Sequence, residues 1–149
     1  NLGSIARSAE ASGIGGLVLE QRRAPPINSG ALRASAGALE HLRVARVPNL
    51  RKALAFARDE GLAILSAEPG GTPLAQCDPV VLGGESLLVL GSEDQGIRSG
   101  LREVVQVRIG IPMGGQVESL GVAAAAAYML LRLAELRDLA RISGNGKIA

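Results

Sequence analysis

Three short segments place glycine and polar side chains where an apolar strand ends or a helix begins. They are Asn1-Leu2-Gly3-Ser4-Ile5-Ala6-Arg7, Gly91-Ser92-Glu93-Asp94-Gln95-Gly96 and Ile111-Pro112-Met113-Gly114-Gly115-Gln116-Val117-Glu118-Ser119-Leu120. Glycine allows close approach of the backbone to a ligand, and open parallel sheets bind ligands at the carboxyl ends of their strands. Arg7 supplies a permanent cation, whereas Glu93, just after an apolar run, needs a partner such as Arg7 to offset its desolvation. Other chemistries lack their residues. One cysteine, Cys77, and one histidine, His41, cannot form a disulfide framework or a zinc site, so no metal is expected. A Ser-His hydrolase would have to use His41, which falls inside a predicted helix and has no G-x-S-x-G partner. Gly13-Ile14-Gly15-Gly16 precedes a strand instead of opening a helix, so it is no dinucleotide loop, and Gly144-Asn145-Gly146-Lys147 lacks Walker spacing.

The elements that must position these segments follow from periodicity. A helix is expected over 2–12 with Gly13 as its cap, a strand over 17–19, and a helix from Asn28 or Ser29 to about Leu42. A strand at 44–47 and a helix capped by Asn49 and closed by Gly61 come next, then a strand at 62–65 and a Gly/Pro loop at 69–73. Strands at 86–90 and 104–109 precede a long helix over 119–141. Strands alternating with helices predict an α/β fold, a parallel sheet covered by helices on both faces. The domain is expected to span 1–142, with a flexible tail at 143–149. Asn1 reads as part of a loop-to-helix turn, so a strand is expected upstream of it.

With 149 residues the chain has about one domain's length. The uncharged apolar stretch 121–131 is shorter than the roughly 20 residues that span a bilayer, and no membrane role is expected. Phe56 and Tyr128 are the only aromatic residues, too few to stack RNA bases in the manner of RNA-recognition modules. Charge is uneven. Residues 1–60 carry nine Lys and Arg against five acids, and residues 61–149 carry seven against nine. That asymmetry suits a polyanionic partner such as RNA, although a solvated surface would show it equally.

In order and separation, the three segments resemble the signature motifs of the SpoU/TrmH family of RNA ribose 2′-O-methyltransferases, within the SPOUT superfamily. The matching patterns are Asn-x-Gly-x-x-x-Arg, Gly-x-Glu-x-x-Gly and Ile-Pro-Met-x-Gly-x-x-x-Ser-Leu, and the resemblance covers essentially the whole chain. It implies a C-terminal trefoil knot, a homodimer joined through the knot and the last helix, and S-adenosylmethionine as cofactor. It implies a catalytic set of Asn1, Arg7, Glu93 and Ser119, with Arg7 near the target ribose and phosphate and Glu93 organising the site around it. Because guanidinium is not deprotonated in proteins, Arg7 would position a phosphate or stabilise the developing alkoxide. Cofactor-binding positions carried over are Ser66, Ala67, Glu68, Leu90, Gly91, Ile111, Met113, Ser119 and Leu120, although Ser119 could equally be the cap of the last helix. The family pattern Ser-Leu-Asn-Val reads Ser119-Leu120-Gly121-Val122 here, which removes a hydrogen-bonding side chain. Structured RNA is the implied partner. Ribosomal RNA comes first because 35–41 resembles rRNA-directed members, which usually carry an upstream RNA-binding domain. Transfer RNA is the alternative, as is a non-catalytic RNA-binding paralogue, and a cytoplasmic location is expected.

Overall fold

The computed structural model describes residues 1–92 and 95–145. Asparagine and aspartate set several helix starts. The side chains of Asn28, Asn49 and Asp78 accept from the backbone N–H groups of Ala31, Lys52 and Val80 at 2.9, 3.0 and 2.9 Å, satisfying donors that a first turn leaves unpaired. Left-handed Gly13 and Gly61 lie just beyond the ends of α1 (Leu2–Ala11) and α4 (Leu50–Asp59). Between them lie β1 (Gly16–Glu20), α2 (Ser29–Ser35), α3 (Ala38–His41) and β2 (Arg43–Val47). The rest of the chain forms β3 (Ala63–Pro73), α5 (Pro79–Gly83), β4 (Ser86–Leu90), α6 (Ser99–Arg102), β5 (Val107–Gly110) and α7 (Val122–Asn145).

Every strand pair is parallel, as expected, but the strands form two sheets: β1 with β2, and β4-β3-β5 with β3 at its centre. Neighbouring β3 residues point to opposite faces. Ile64 packs with Leu54, Val89, Leu101 and Val104 on one side, and Leu65 with Leu82, Ile109, Met129 and Leu133 on the other. A third cluster joins Ala6 and Ala9 of α1 to Ala126 and Leu130 of α7. Small side chains allow this close approach, so Ala126 belongs to the core of the protomer.

Several boundaries differ from the sequence reading. The expected helix from Asn28 to Leu42 breaks at Ala36 (φ 49) and Gly37 (φ 89), both left-handed. The expected loop at 69–73 is the second half of β3, because β5 supplies backbone partners after a bulge between Ala67 and Thr72. Gly71 and Gly110 meet there so closely that a Cβ on Gly71 would lie 2.5 Å from the Ile109 carbonyl carbon. The last strand starts at Val107, since the Val104 N–H donates to Leu101 O in the turn after α6. The last helix starts at Val122, with Gly121 O accepting from the Ala125 N–H at 3.0 Å, so Ser119 is not its cap. It continues to Asn145, through residues expected to begin a flexible tail.

Candidate functional site

β4 ends at Leu90 beside Ala67, where β3 bulges, and the chain after β5 lines the space beyond this point. The result is a cavity of about 420 Å³. Ala67, Glu68 and Pro69 line it from β3, and Leu90, Gly91, Ser92 and Gly96 from the end of β4 and its loop. Ile111, Met113, Glu118, Ser119, Leu120 and Gly121 form the wall after β5, and Val122, Ala125 and Met129 of α7 form the floor.

The glycines have local reasons. The backbones of Ser92 and Gly96 exchange hydrogen bonds of 3.1 and 2.9 Å, folding the loop back on itself. A Cβ on Gly91 would lie 2.4 Å from the Gly96 carbonyl carbon, and Gly96 itself is left-handed (φ +61). The Gly-x-x-x-x-Gly spacing thus builds a tight reversal at the cavity mouth.

Glu68 is the buried charge of the site, its side chain 5% exposed. Its Oε1 accepts from Ser66 Oγ at 2.8 Å, and its two oxygens face Arg102 Nη2 at 2.8 Å and Arg108 Nε at 3.5 Å. This carboxylate ties the bulged end of β3 to α6 and β5. Ser66 is fully buried and does not line the cavity, so it acts there only through Glu68.

Of the residues picked out by sequence, Ala67, Glu68, Leu90, Gly91, Ile111, Met113, Ser119 and Leu120 therefore share one cavity. Asn1 lies elsewhere, on a second cavity between β1 and β4. Arg7 is exposed on α1, opposite buried Ala6 and Ala9, and lines neither cavity. Glu93 lies outside the described residues. Glu118 and the floor of α7 were not singled out from sequence. Val122, Ala125 and Met129 fall at i, i+3 and i+7, a signal that one helix face meets the cavity. Burial pushes the Cys77 thiol pKa up, which favours the thiol over the thiolate, and its Sγ lies 3.5 Å from Pro73 O as a donor. Among the described residues, no three His, Cys, Asp or Glu side chains gather in a metal-binding group, and no helix is long and apolar enough to cross a membrane.

Fold and cavity together define a parallel α/β protein with a cavity of small-molecule size beside the end of β4. The chain belongs to the SpoU rRNA Methylase family, whose model matches residues 1–131. It is 38% identical over 138 residues to an uncharacterized tRNA/rRNA methyltransferase of Mycolicibacterium smegmatis, covering 92% of this chain and 43% of the relative. A second uncharacterized tRNA/rRNA methyltransferase, from Synechocystis, is 40% identical over 142 residues, 95% of this chain and 36% of that one. The chain thus spans less than half the length of these two curated relatives. Among solved structures it resembles the SpoU methyltransferase AviRb from Streptomyces viridochromogenes in complex with the cofactor AdoMet. That match has a TM-score of 0.80 and 28% identity, and covers 93% of this chain and 56% of that one.

Proposed function

We propose that this chain binds S-adenosylmethionine in the cavity between the bulge of β3 and the end of β4 and methylates a ribose 2′-hydroxyl of RNA, with ribosomal RNA as the first substrate to test. One observation carries the reading: separate segments around Ala67, Gly91 and Ile111 to Leu120 converge on a single cavity. Its volume lies within the roughly 300–1,000 Å³ usual for small-molecule sites. Its residues suit the cofactor. Leu90, Ile111 and Met129 offer apolar walls for a base, Glu118 a carboxylate for a cationic group, and Ser119 a hydroxyl.

When bound, the sulfonium supplies an already activated methyl group. The protein has to hold the RNA hydroxyl in line and keep water away. Arg7, exposed on α1, has the charge and forked geometry to hold a phosphate beside that hydroxyl and to stabilise developing negative charge. It stays protonated throughout. All nine Lys and Arg of residues 1–60 are exposed, which leaves them accessible to a polyanion.

A homodimer joined through α7 and the segment before it is part of the same proposal. Tyr128, Leu131, Leu139 and Ile142 leave an apolar stripe exposed on α7, and Val117 and Leu120 are exposed beside the cavity. Gly121 favours a second reading. It lines the cavity without a side chain, which suits a protein that keeps the cofactor and the RNA but transfers no methyl group. Incubation with labelled S-adenosylmethionine and either ribosomal or transfer RNA, followed by nucleoside analysis, separates the readings. Label in 2′-O-methylated nucleosides supports transfer. RNA binding without label supports the second reading.

A further inference from the structure

Charge around the β1–β2 sheet is sorted by end. Residues 21–58 carry eight Lys and Arg and a single acid, Glu40, yet those cations do not share one neighbourhood. Arg22 and Arg23 lie in the loop after β1, Arg46 is the penultimate residue of β2, and Lys52 is in the first turn of α4. Because β1 and β2 are parallel and α4 follows β2, all four stand at the carboxyl end of the sheet. The other end is acidic. Glu10 and Glu40 precede β1 and β2, and Asp59 and Glu60 close α4, about 15 Å from its start at ~1.5 Å per residue. Arg43 and Arg58 fall among these acids, and Arg58 Nη2 lies 3.3 Å from Asp59 Oδ1.

The carboxyl end is also firmly built. The Gln21 N–H donates to Val47 O at 2.9 Å, the Ala24 N–H to Glu20 O at 2.9 Å and Arg46 Nη2 to Pro25 O at 3.3 Å, so the loop after β1 is folded against the end of β2. The last residue of β1, Glu20, has a side chain only 12% exposed, and its oxygens face Arg98 Nη2 at 2.6 Å and Arg23 Nη1 at 3.5 Å. Its charge is thereby offset, while Arg22, Arg23, Arg46 and Lys52 stay exposed. Arg51, beside Lys52, is taken up by Glu103 at 2.6 Å. Cations on a folded loop lose less freedom when a ligand arrives than cations on a loose one. Arg98 also shows where this end leads. It lies two residues beyond Gly96, which lines the cavity at the end of β4, so the loop after β1 adjoins the segment that follows the cavity mouth.

We propose that the carboxyl end of the β1–β2 sheet is a track for the phosphate backbone of RNA, contacted by Arg22, Arg23, Arg46 and Lys52 and leading to the cavity mouth. The proposal rests on the reading of RNA as substrate and narrows it: the positive charge of residues 1–60 acts at one end of the sheet, and Arg43 and Arg58 take no part. Guanidinium groups suit phosphate because their paired N–H donors match its oxygens. Each phosphate neutralised releases counterions, so contacts of this kind are read directly from the salt dependence of binding.

Backbone contacts carry no sequence information, so one transcribed transfer RNA serves as the probe. Its binding to the chain is followed by fluorescence anisotropy over a range of salt concentrations, with three double variants that each remove two positive charges. Arg23→Gln/Arg46→Gln and Arg22→Gln/Lys52→Gln should each raise Kd at least about tenfold and flatten the slope of log Kd against log salt by about 1.5–2. The second pair leaves the hydrogen bonds of the loop intact, so its effect cannot come from a loosened loop. Arg43→Gln/Arg58→Gln should stay within about threefold of the unsubstituted chain, with the slope changed by less than about 0.5. Net charge is the same in all three variants, so a difference between them reports position. Equal weakening by the three, or the largest loss in the Arg43 and Arg58 pair, would overturn the track while leaving RNA binding in place. No binding of the probe by the folded, unsubstituted chain at low salt would overturn the substrate reading and the track with it.

Discussion

The two halves of the molecule are built from the same pieces and finished to different degrees. The β3–β4–β5 half buries Ile64, Leu65, Val89 and Ile109 and carries the cavity proposed for the cofactor. The α1–β1–β2 half buries no residue of either strand, yet holds Arg7 and most of the excess positive charge. The packed half is the one that offers a proposed ligand a single geometry. The half with most of the excess positive charge is more exposed. The division is physical: a small-molecule pocket needs walls fixed by close packing, whereas phosphate contacts need accessible cations.

Substitutions on each half sharpen or break that contrast. The largest effect is expected for Arg7→Ala, which should lower methyl transfer at least about a hundredfold, the scale of losing one donor to developing charge. Its stability should change by no more than about 0.5 kcal/mol, because the residue is exposed. A large loss of Tm would show that Arg7 holds the fold. Next comes Leu65→Ala, which empties a fully buried position and should cost about 2–5 kcal/mol in chemical denaturation. Leu19→Ala on half-buried β1 should cost clearly less. Equal costs would erase the distinction between the halves. Glu68→Gln removes the charge that Arg102 and Arg108 share, and about 1–2 kcal/mol of stability should go with it. Cofactor affinity should fall too, since Glu68 anchors one wall. Smallest is Arg51→Ala: both partners of the Arg51–Glu103 pair are more than half exposed, and within about 0.5 kcal/mol nothing should change.

How far each half could be read from sequence follows the same line. Local signals located the elements well: the asparagine caps, the glycines after α1 and α4, and the apolar runs of β1, β2 and β4. Errors came where a distant segment decides the local structure. Pro69 to Pro73 has the composition of a loop but extends as a strand because β5 lies beside it, and Ser119 looks like a cap but lies in the cavity wall before α7. Gly91, Ile111, Met113, Ser119 and Leu120 of the second and third motifs meet in one cavity. Asn1 and Arg7 do not join it, and no spacing rule could say so, because their position depends on how α1 rests on α7.

The central claim is that the cavity between the bulge of β3 and the end of β4 binds S-adenosylmethionine. Calorimetric titration of the folded chain and of Gly91→Val tests it most directly, because a Cβ at Gly91 would collide with the Gly96 backbone at 2.4 Å and displace the cavity mouth. Saturable binding near one site per protomer, weakened at least about tenfold (~1.4 kcal/mol) in Gly91→Val, is the predicted result. No binding by the folded chain, or equal binding by the variant, would contradict it.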